Sequence, residues 1–110
     1  MNFAHPSEKT FSEHLDLFDI EWLYEPVSFP LEWGSGSIKK MFTPDFYLPT
    51  LNLFVEITTM NQNLITKKRK KLKMARKLYP NLNFKLFNEE DFYNILSKNN
   101  SEIIQETIAS

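Results

Sequence analysis

The sequence predicts a single α/β or α+β domain in which a central mixed β-sheet is flanked by helices. Two observations lead to this prediction. Apolar residues repeat at helical spacing near the start of the chain and again over residues 64–79, and short extended segments lie between and after these stretches. A length of 110 residues suits one compact domain. We therefore expect one helix-flanked domain over 1–96 and a polar tail with helical character over 97–110.

The first helix is predicted from about Pro6 to Phe18. Proline suits the first turn of a helix, where its missing N–H costs no hydrogen bond. Phe11, Leu15 and Phe18 then repeat at spacings of four and three, which places them on one face. Large apolar residues alternate with other side chains over 20–25, so the first strand is expected there.

Proline and glycine divide the next part of the chain. Pro26 and Pro30 favour an edge strand or an irregular extended segment, because proline has no N–H to give to a sheet. The only two glycines fall within Gly34–Ser37, which predicts a turn. We expect one extended segment over Ile38–Leu48, followed by a short turn over 49–52.

The strongest strand pattern is Leu53–Thr59, which we expect to pair with the preceding extended segment as a hairpin. A long helix is predicted from about Leu64 to Tyr79. A short strand over 83–88 and a helix over 89–96 complete the expected domain, with Asn88 as the N-cap of that last helix.

Charge is distributed very unevenly along the chain. Residues 1–66 have a net charge of −6 and residues 78–110 a net charge of −3, whereas residues 67–77 hold 8 basic side chains and no acidic one. Such a basic block favours a polyanionic partner, most often nucleic acid. The alternative is a helix face that is simply solvated.

The composition also excludes some classes of protein. The chain has no cysteine, so it forms neither disulfides nor thiolate metal sites. No apolar run approaches the ~20 residues of a membrane span, and no signal-peptide pattern opens the sequence. We expect a cytoplasmic protein with no membrane partner.

Two carboxylates, Asp45 and Glu56, lie inside otherwise apolar, strand-like sequence. Glu56 shares its face of the strand with Phe54 and Thr58, because side chains alternate along a strand. A buried carboxylate is costly unless it is paired, hydrogen-bonded or bound to a metal. The predicted hairpin would place Asp45 beside Glu56. The alternative interpretation makes Glu56 the partner of a lysine and Asp45 a turn residue.

A pair of neighbouring carboxylates needs a cation, and hard oxygen ligands suit Mg²⁺ or Mn²⁺. A third acid could come from the first helix. Glu8 flanks the buried stripe of that helix, whereas Glu13 projects from nearly the opposite face. The alternative role of Glu8, in the first turn, is to complement the helix dipole.

One basic residue of the long helix falls on its apolar side. At 100° per residue, Lys68 lies near the centre of the apolar arc and Lys71 lies inside its edge. Such a lysine needs an anionic partner, unless its side chain extends past the core to water. The arc consists of Leu64, Ile65, Leu72, Ala75, Leu78 and Tyr79.

Together these residues resemble the PD-(D/E)xK nuclease superfamily, which has the restriction-endonuclease-like fold. "PSEKTF" supplies Glu8, "TPDFYLP" supplies Pro44 and Asp45, and "FVEIT" supplies Glu56. The segment "PDFYLP…LFVEI" closely resembles the matching segment of phage junction-resolving endonucleases and of other minimal nucleases in the superfamily, and the likeness spans about residues 5–90. Thr58 stands where the motif has lysine.

The resemblance implies roles for these residues. Asp45 and Glu56, with the backbone carbonyl of Ile57, would bind Mg²⁺ or Mn²⁺, and Glu8 would bind a second metal or a metal-bound water. Lys68 resembles the displaced lysine of some family members, with Lys71 behind it, and would act at the scissile phosphate. Thr58 and Gln62 would be accessory residues. The remaining basic residues would hold the phosphate backbone, in particular Lys67, Arg69, Lys70, Lys71 and Lys73.

Three classes of function remain open at this point. The first is a metal-dependent endonuclease acting on DNA, with structured or branched DNA among its substrates. The second is a catalytically degenerate nuclease fold that binds nucleic acid or another protein. The third, a structural subunit that assembles through its aromatic surface, leaves the carboxylates unexplained. A domain this small covers little of a duplex, so we expect a homodimer or association with another domain.

Overall fold

The computed structural model describes residues 2–58, 62–88 and 91. Two α-helices and six strands lie within these ranges, together with one short 3-10 turn. In chain order they are α1 (Pro6–Leu17), β1 (Leu23–Tyr24), β2 (Phe29–Gly34), β3 (Ser37–Phe42), β4 (Phe46–Leu48), the 3-10 turn (Pro49–Leu51), β5 (Leu53–Ile57), α2 (Gln62–Leu78) and β6 (Phe84–Phe87).

The main sheet has the strand order β1-β4-β5-β6 and is mixed. The pairs β1–β4 and β4–β5 are antiparallel, whereas β5 and β6 are parallel and are connected through α2. Strands β2 and β3 form a separate two-stranded antiparallel sheet. The predicted fold class, an α+β domain with a mixed sheet and flanking helices, is therefore confirmed.

Alternation along β5 separates two apolar clusters, one for each helix. Val55 and Ile57 pack with Phe11 and Leu15 of α1. On the other side, Phe54 belongs to the cluster that contains buried residues of α2 and β6. The second cluster consists of Phe29, Leu31, Phe42, Phe54, Leu72, Ala75 and Phe84. All five residues of β5 are buried, so this strand is the centre of the domain.

The prediction of one extended segment over 38–48 is wrong. The chain leaves the β2–β3 hairpin after Phe42 and enters the main sheet only at Phe46. Pro44 lies in the break and has no N–H to continue a ladder. A continuous run of strand-forming residues does not reveal that the chain changes sheets, because each piece has the same alternation. The pairing with β5 is confirmed for 46–48 alone.

The predicted turn at Gly34–Ser37 connects β2 to β3. Ser35 and Gly36 lie at its tip and have φ values of 46° and 81°. Positive φ at both central positions belongs to the tight turn whose twist matches an antiparallel hairpin. The strand predicted over 20–25 is confirmed only as the two-residue β1.

The helices predicted over 6–18 and 64–79 are confirmed, with ends that differ from the prediction by at most two residues. In α2 the centre of the predicted arc is buried, at Ile65, Leu72 and Ala75. Its edges are not, since Leu64 and Leu78 are 45% and 41% exposed. Within the described ranges, no helix combines the length and the apolar character needed to cross a membrane.

The short strand predicted over 83–88 is confirmed as β6. After it, the Asn88 side chain accepts a bond from the Asp91 backbone N–H, and the Asp91 carboxylate accepts one from the Asn88 N–H. These reciprocal bonds suit Asn88 as an N-cap. The rest of the helix predicted over 89–96 and the tail over 97–110 lie outside the described residues, as does Thr59.

Candidate active site

Asp45 and Glu56 face each other across the β4–β5 pair. Phe46 is in register with Val55. Because the two strands are antiparallel, Asp45, which precedes Phe46, lies opposite Glu56, which follows Val55. The Asp45 backbone N–H donates to Glu56 Oε1 at 3.1 Å, and the Ile57 N–H donates to Asp45 Oδ2 at 2.8 Å. The adjacency expected from the hairpin is therefore present.

Burial makes both of these carboxyl groups hard to ionise. The pKa of Glu56 is raised to about 8, chiefly by removal from water and then by the neighbouring Asp45 carboxylate, while the Lys68 ammonium opposes the rise. The pKa of Asp45 is also raised by burial, against the bond from the Ile57 N–H. Without a further cation, the pair therefore retains a proton at neutral pH.

Glu8 of α1 reaches the same region and is only 6% exposed. The Tyr24 hydroxyl of β1 donates to Glu8 Oε1 at 2.6 Å. Burial raises the pKa of Glu8 despite this bond, and burial and Glu8 together raise the pKa of Tyr24 above its ordinary value. Glu13 is exposed and pairs with Lys9 at 3.9 Å, in agreement with its predicted helical face.

Glu25 is a member of the site that the sequence reasoning missed. Glu8, Glu25 and Asp45 each place one carboxylate oxygen within 4.8 Å of the other two. Glu25 has a φ of 44°, and its backbone N–H donates to the Asp45 carbonyl at 2.8 Å. The only sequence signal was its position at the end of the first strand pattern, directly before Pro26, which does not reveal that β1 pairs with β4.

Lys68 of α2 lies against the carboxylate pair. Its Nζ is 3.6 Å from Glu56 Oε2 and donates a hydrogen bond to the Ile57 carbonyl. The side chain is 30% exposed, so its outer part still meets solvent. Lys68 is thus hydrogen-bonded to the Ile57 carbonyl, which the resemblance assigned as a metal ligand. Lys71, the other lysine of the predicted arc, is half-buried.

The two accessory positions differ in what the structure describes. Thr58, at the position of the motif lysine, is 2% exposed, and its backbone N–H donates to the Phe87 carbonyl at 2.8 Å. Gln62 is the first residue of α2, and its side chain lies outside the described part. The basic residues expected to hold phosphates, apart from Lys71, are all exposed on α2, namely Lys67, Arg69, Lys70 and Lys73.

The site contains more carboxyl groups than basic groups. Four carboxyl groups meet here, from Glu8, Glu25, Asp45 and Glu56, and Lys68 is the one cation among the described groups that contact them. Ligand oxygens on opposite sides of a Mg²⁺ ion lie about 4.2 Å apart, at twice the usual bond length. The oxygens of Glu8, Glu25 and Asp45 lie within 4.8 Å of one another, so they would move closer together to bind one ion, and their chemistry fits a hard divalent cation.

Comparison with known protein families, curated proteins and solved structures finds no match for this chain.

The protonated pair predicts how stability depends on pH in the absence of metal. Glu56 has a pKa of about 8 in the folded chain and an ordinary value of 4.5. Between these values the folded state holds a proton that the unfolded state has released, so stability falls as the pH rises and levels off above about 8. The raised pKa values of Asp45 and Glu8 act in the same direction.

We expect the free energy of unfolding to drop by up to a few kcal/mol across this window, since one pKa unit corresponds to about 1.4 kcal/mol. Urea unfolding in EDTA at several pH values measures it. Glu56→Gln removes the titrating group, so its stability should depend less on pH. A wild-type stability that rises through the window would contradict the raised pKa.

Proposed function

We propose that this protein is a divalent-metal-dependent nuclease that hydrolyses phosphodiester bonds in DNA. The observation that carries the proposal is the convergence of four carboxyl groups and one lysine at one end of the sheet. A structural site would have little reason to retain the three buried acids Glu8, Asp45 and Glu56, because each costs free energy when its charge is unpaired. Phosphodiester hydrolysis can use such a set, because a metal ion held by carboxylates and an ammonium group both stabilise the charge that develops on the phosphate.

Asp45 and Glu56 would hold Mg²⁺ or Mn²⁺ together with Glu8 and Glu25, which lie on the other side of Asp45. The bound ion would lower the pKa of a water molecule and offset charge on the phosphate. Binding would also displace the proton that the Asp45–Glu56 pair retains, so metal affinity should increase with pH. Three of the four carboxyl groups, those of Glu8, Asp45 and Glu56, are buried, whereas that of Glu25 is exposed.

Lys68 would act on the phosphate itself. Its ammonium group now bridges Glu56 and the Ile57 carbonyl, and its partial exposure lets a substrate oxygen approach it. An ammonium placed there stabilises charge that develops on the pentacovalent phosphate. This arrangement supports the resemblance to superfamily members in which the lysine comes from the helix after the second strand. The basic residues of α2 would then hold the flanking phosphates.

The test is a cleavage assay with Mg²⁺, Mn²⁺ or EDTA on a panel of duplex, single-stranded and branched DNA. We expect cleavage that requires the metal and is lost in Asp45→Asn. RNA of the same sequences serves to test the preference for DNA. Absence of cleavage of every substrate with either metal would contradict the proposal.

The second candidate is a nuclease fold that binds nucleic acid without cleaving it. Two observations favour it: the motif lysine is replaced by the buried Thr58, and Lys68 already occupies the Ile57 carbonyl. In that case, DNA binding would be independent of divalent metal, and the variant Asp45→Asn would bind as the wild type does.

Glu8 should matter for cleavage and Glu13 should not. Glu8→Gln keeps an acceptor for the Tyr24 hydroxyl but removes the charge next to Asp45 and Glu25. We expect its activity to fall by about 10- to 100-fold, the usual effect of losing a group that supports a metal site. Glu13→Gln, on the exposed face of the same helix, is the matched control. Equal losses in the two variants, compared at equal folded fraction, would show that the helical-face argument is wrong.

A further inference from the structure

We propose that a groove between α2 and β6 binds the sugar-phosphate backbone of a nucleic acid strand, and that the basic residues facing this groove, rather than the whole basic block, provide most of the affinity. The inference rests on the proposed function only for the choice of nucleic acid as the ligand. It adds a binding surface that lies beside the candidate active site and outside the carboxylate cluster.

The groove is open and has a volume of about 390 Å³. Both elements contribute basic side chains to it, and two leucines line the rest of it. The lining residues are Arg69, Leu72, Lys73, Arg76, Lys85 and Leu86. Lys85 comes from a part of the sequence that the basic block does not include, so the tertiary structure adds a cation that the charge pattern along the chain did not reveal.

The helical phase of α2 divides the basic block between two faces. At 100° per residue, Arg69, Lys73 and Arg76 fall within an arc of about 60° next to the buried arc, whereas Lys70 and Lys77 point away from the core. From the first to the last of the three, the helix rises by about 10 Å. That length corresponds to about three phosphates of one DNA strand at ~3.4 Å of axial rise each.

The charges that α2 contributes to the groove are available to a ligand. Arg69, Lys73 and Arg76 form no ion pair with any acidic residue in the described part of the chain. The Arg76 guanidinium donates to the Phe84 carbonyl at 2.8 Å, which fixes it at the start of β6. A guanidinium has five N–H donors, so this bond still leaves donors for a phosphate.

The opposite side of the sheet has the opposite charge. There, an open groove of about 370 Å³ at the end of α1 is lined by Asp16, Asp19 and Glu21. A polyanion would be repelled from this side and attracted to α2. Arg69 directly follows Lys68, so the basic groove begins on α2 one residue beyond the lysine of the candidate active site. A row of cations of this length suits an extended polyanion better than a single small anion.

The experiment compares two double variants that remove the same charge from the two faces of α2. Arg69→Gln/Lys73→Gln removes two charges from the groove, and Lys70→Gln/Lys77→Gln removes two from the outer face. All four side chains are exposed, and none has a hydrogen bond or ion pair in the described structure that the substitution would break. Binding of a fluorescent DNA duplex in EDTA is measured against salt concentration, and circular dichroism checks folding.

We expect the groove variant to reduce the slope of log affinity against log salt by about two, and the outer-face variant to reduce it by less than one. Equal losses in the two variants would overturn the proposal. So would groove-dependent binding of anionic phospholipid vesicles by a protein that does not bind the duplex. This experiment measures binding and not cleavage. Its result can therefore contradict the proposed groove without contradicting the proposed nuclease activity, and a failed cleavage assay would not contradict the groove.

Discussion

Glu56→Gln is expected to lower the rate of metal-dependent DNA cleavage by at least about 10³-fold while the fold stays intact. A bound metal contributes several kcal/mol to transition-state stabilisation, and about 4 kcal/mol corresponds to 10³-fold in rate. Glu56 adjoins Asp45 through the bond to its backbone N–H, and a glutamine oxygen can still accept that bond. The change thus removes charge and leaves packing in place.

The same variant should be as stable as the wild type in EDTA, or more stable, above pH 8. Glutamine resembles the protonated form that the buried site favours, so the cost of ionising Glu56 disappears. The measurements are initial cleavage rates over a range of Mg²⁺ concentrations and urea unfolding of the same samples. Glu13→Gln makes the identical change on an exposed surface and is the control. Full activity of Glu56→Gln at saturating Mg²⁺ would exclude Glu56 as a metal ligand.

Lys68→Met is expected to slow the chemical step by roughly 10²–10³-fold, the usual effect of removing one group that stabilises a developing charge. Methionine keeps an unbranched apolar chain of similar length, so the packing of α2 on β5 should survive. The ammonium group, which contacts Glu56 and the Ile57 carbonyl, is what the substitution removes. Single-turnover cleavage at saturating enzyme measures the chemical step without a contribution from binding.

Lys70→Met is the control that tests whether the position of Lys68, and not its charge alone, matters for cleavage. Lys70 belongs to the same basic block but is exposed on α2 and contacts none of the four carboxyl groups. At saturating enzyme, it should lose far less of the single-turnover rate than Lys68→Met does. If the two variants showed the same modest defect, and only in binding, Lys68 would be a surface lysine that extends past the core. The module that binds without cleaving would then be the better interpretation.

The parts of the site that the sequence predicted are those that depend on local geometry. Asp45 and Glu56 are eleven residues apart on two strands connected by a short turn, so strand alternation and a tight hairpin were enough to bring them together. The buried position of Glu8 and the inward position of Lys68 followed from helical phase in the same way.

The parts that the sequence missed depend on contacts between distant segments. Glu25 and Tyr24 join the site because β1 pairs with β4, where Tyr24 is in register with Phe46. Nothing in the alternation over 20–25 specifies that partner. The change of sheet after Phe42 was missed for the same reason, since a strand's pattern does not indicate which strand lies beside it.

The sequence by itself thus determined the fold class, the helices α1 and α2 and the side of each that is buried, because periodicity follows directly from backbone geometry. Only the tertiary structure decided that four carboxyl groups rather than three converge, that Lys68 donates to the Ile57 carbonyl, and that Lys85 joins three basic residues of α2 in one groove. Those neighbours are chosen by packing between segments far apart in the chain, which local periodicity cannot encode.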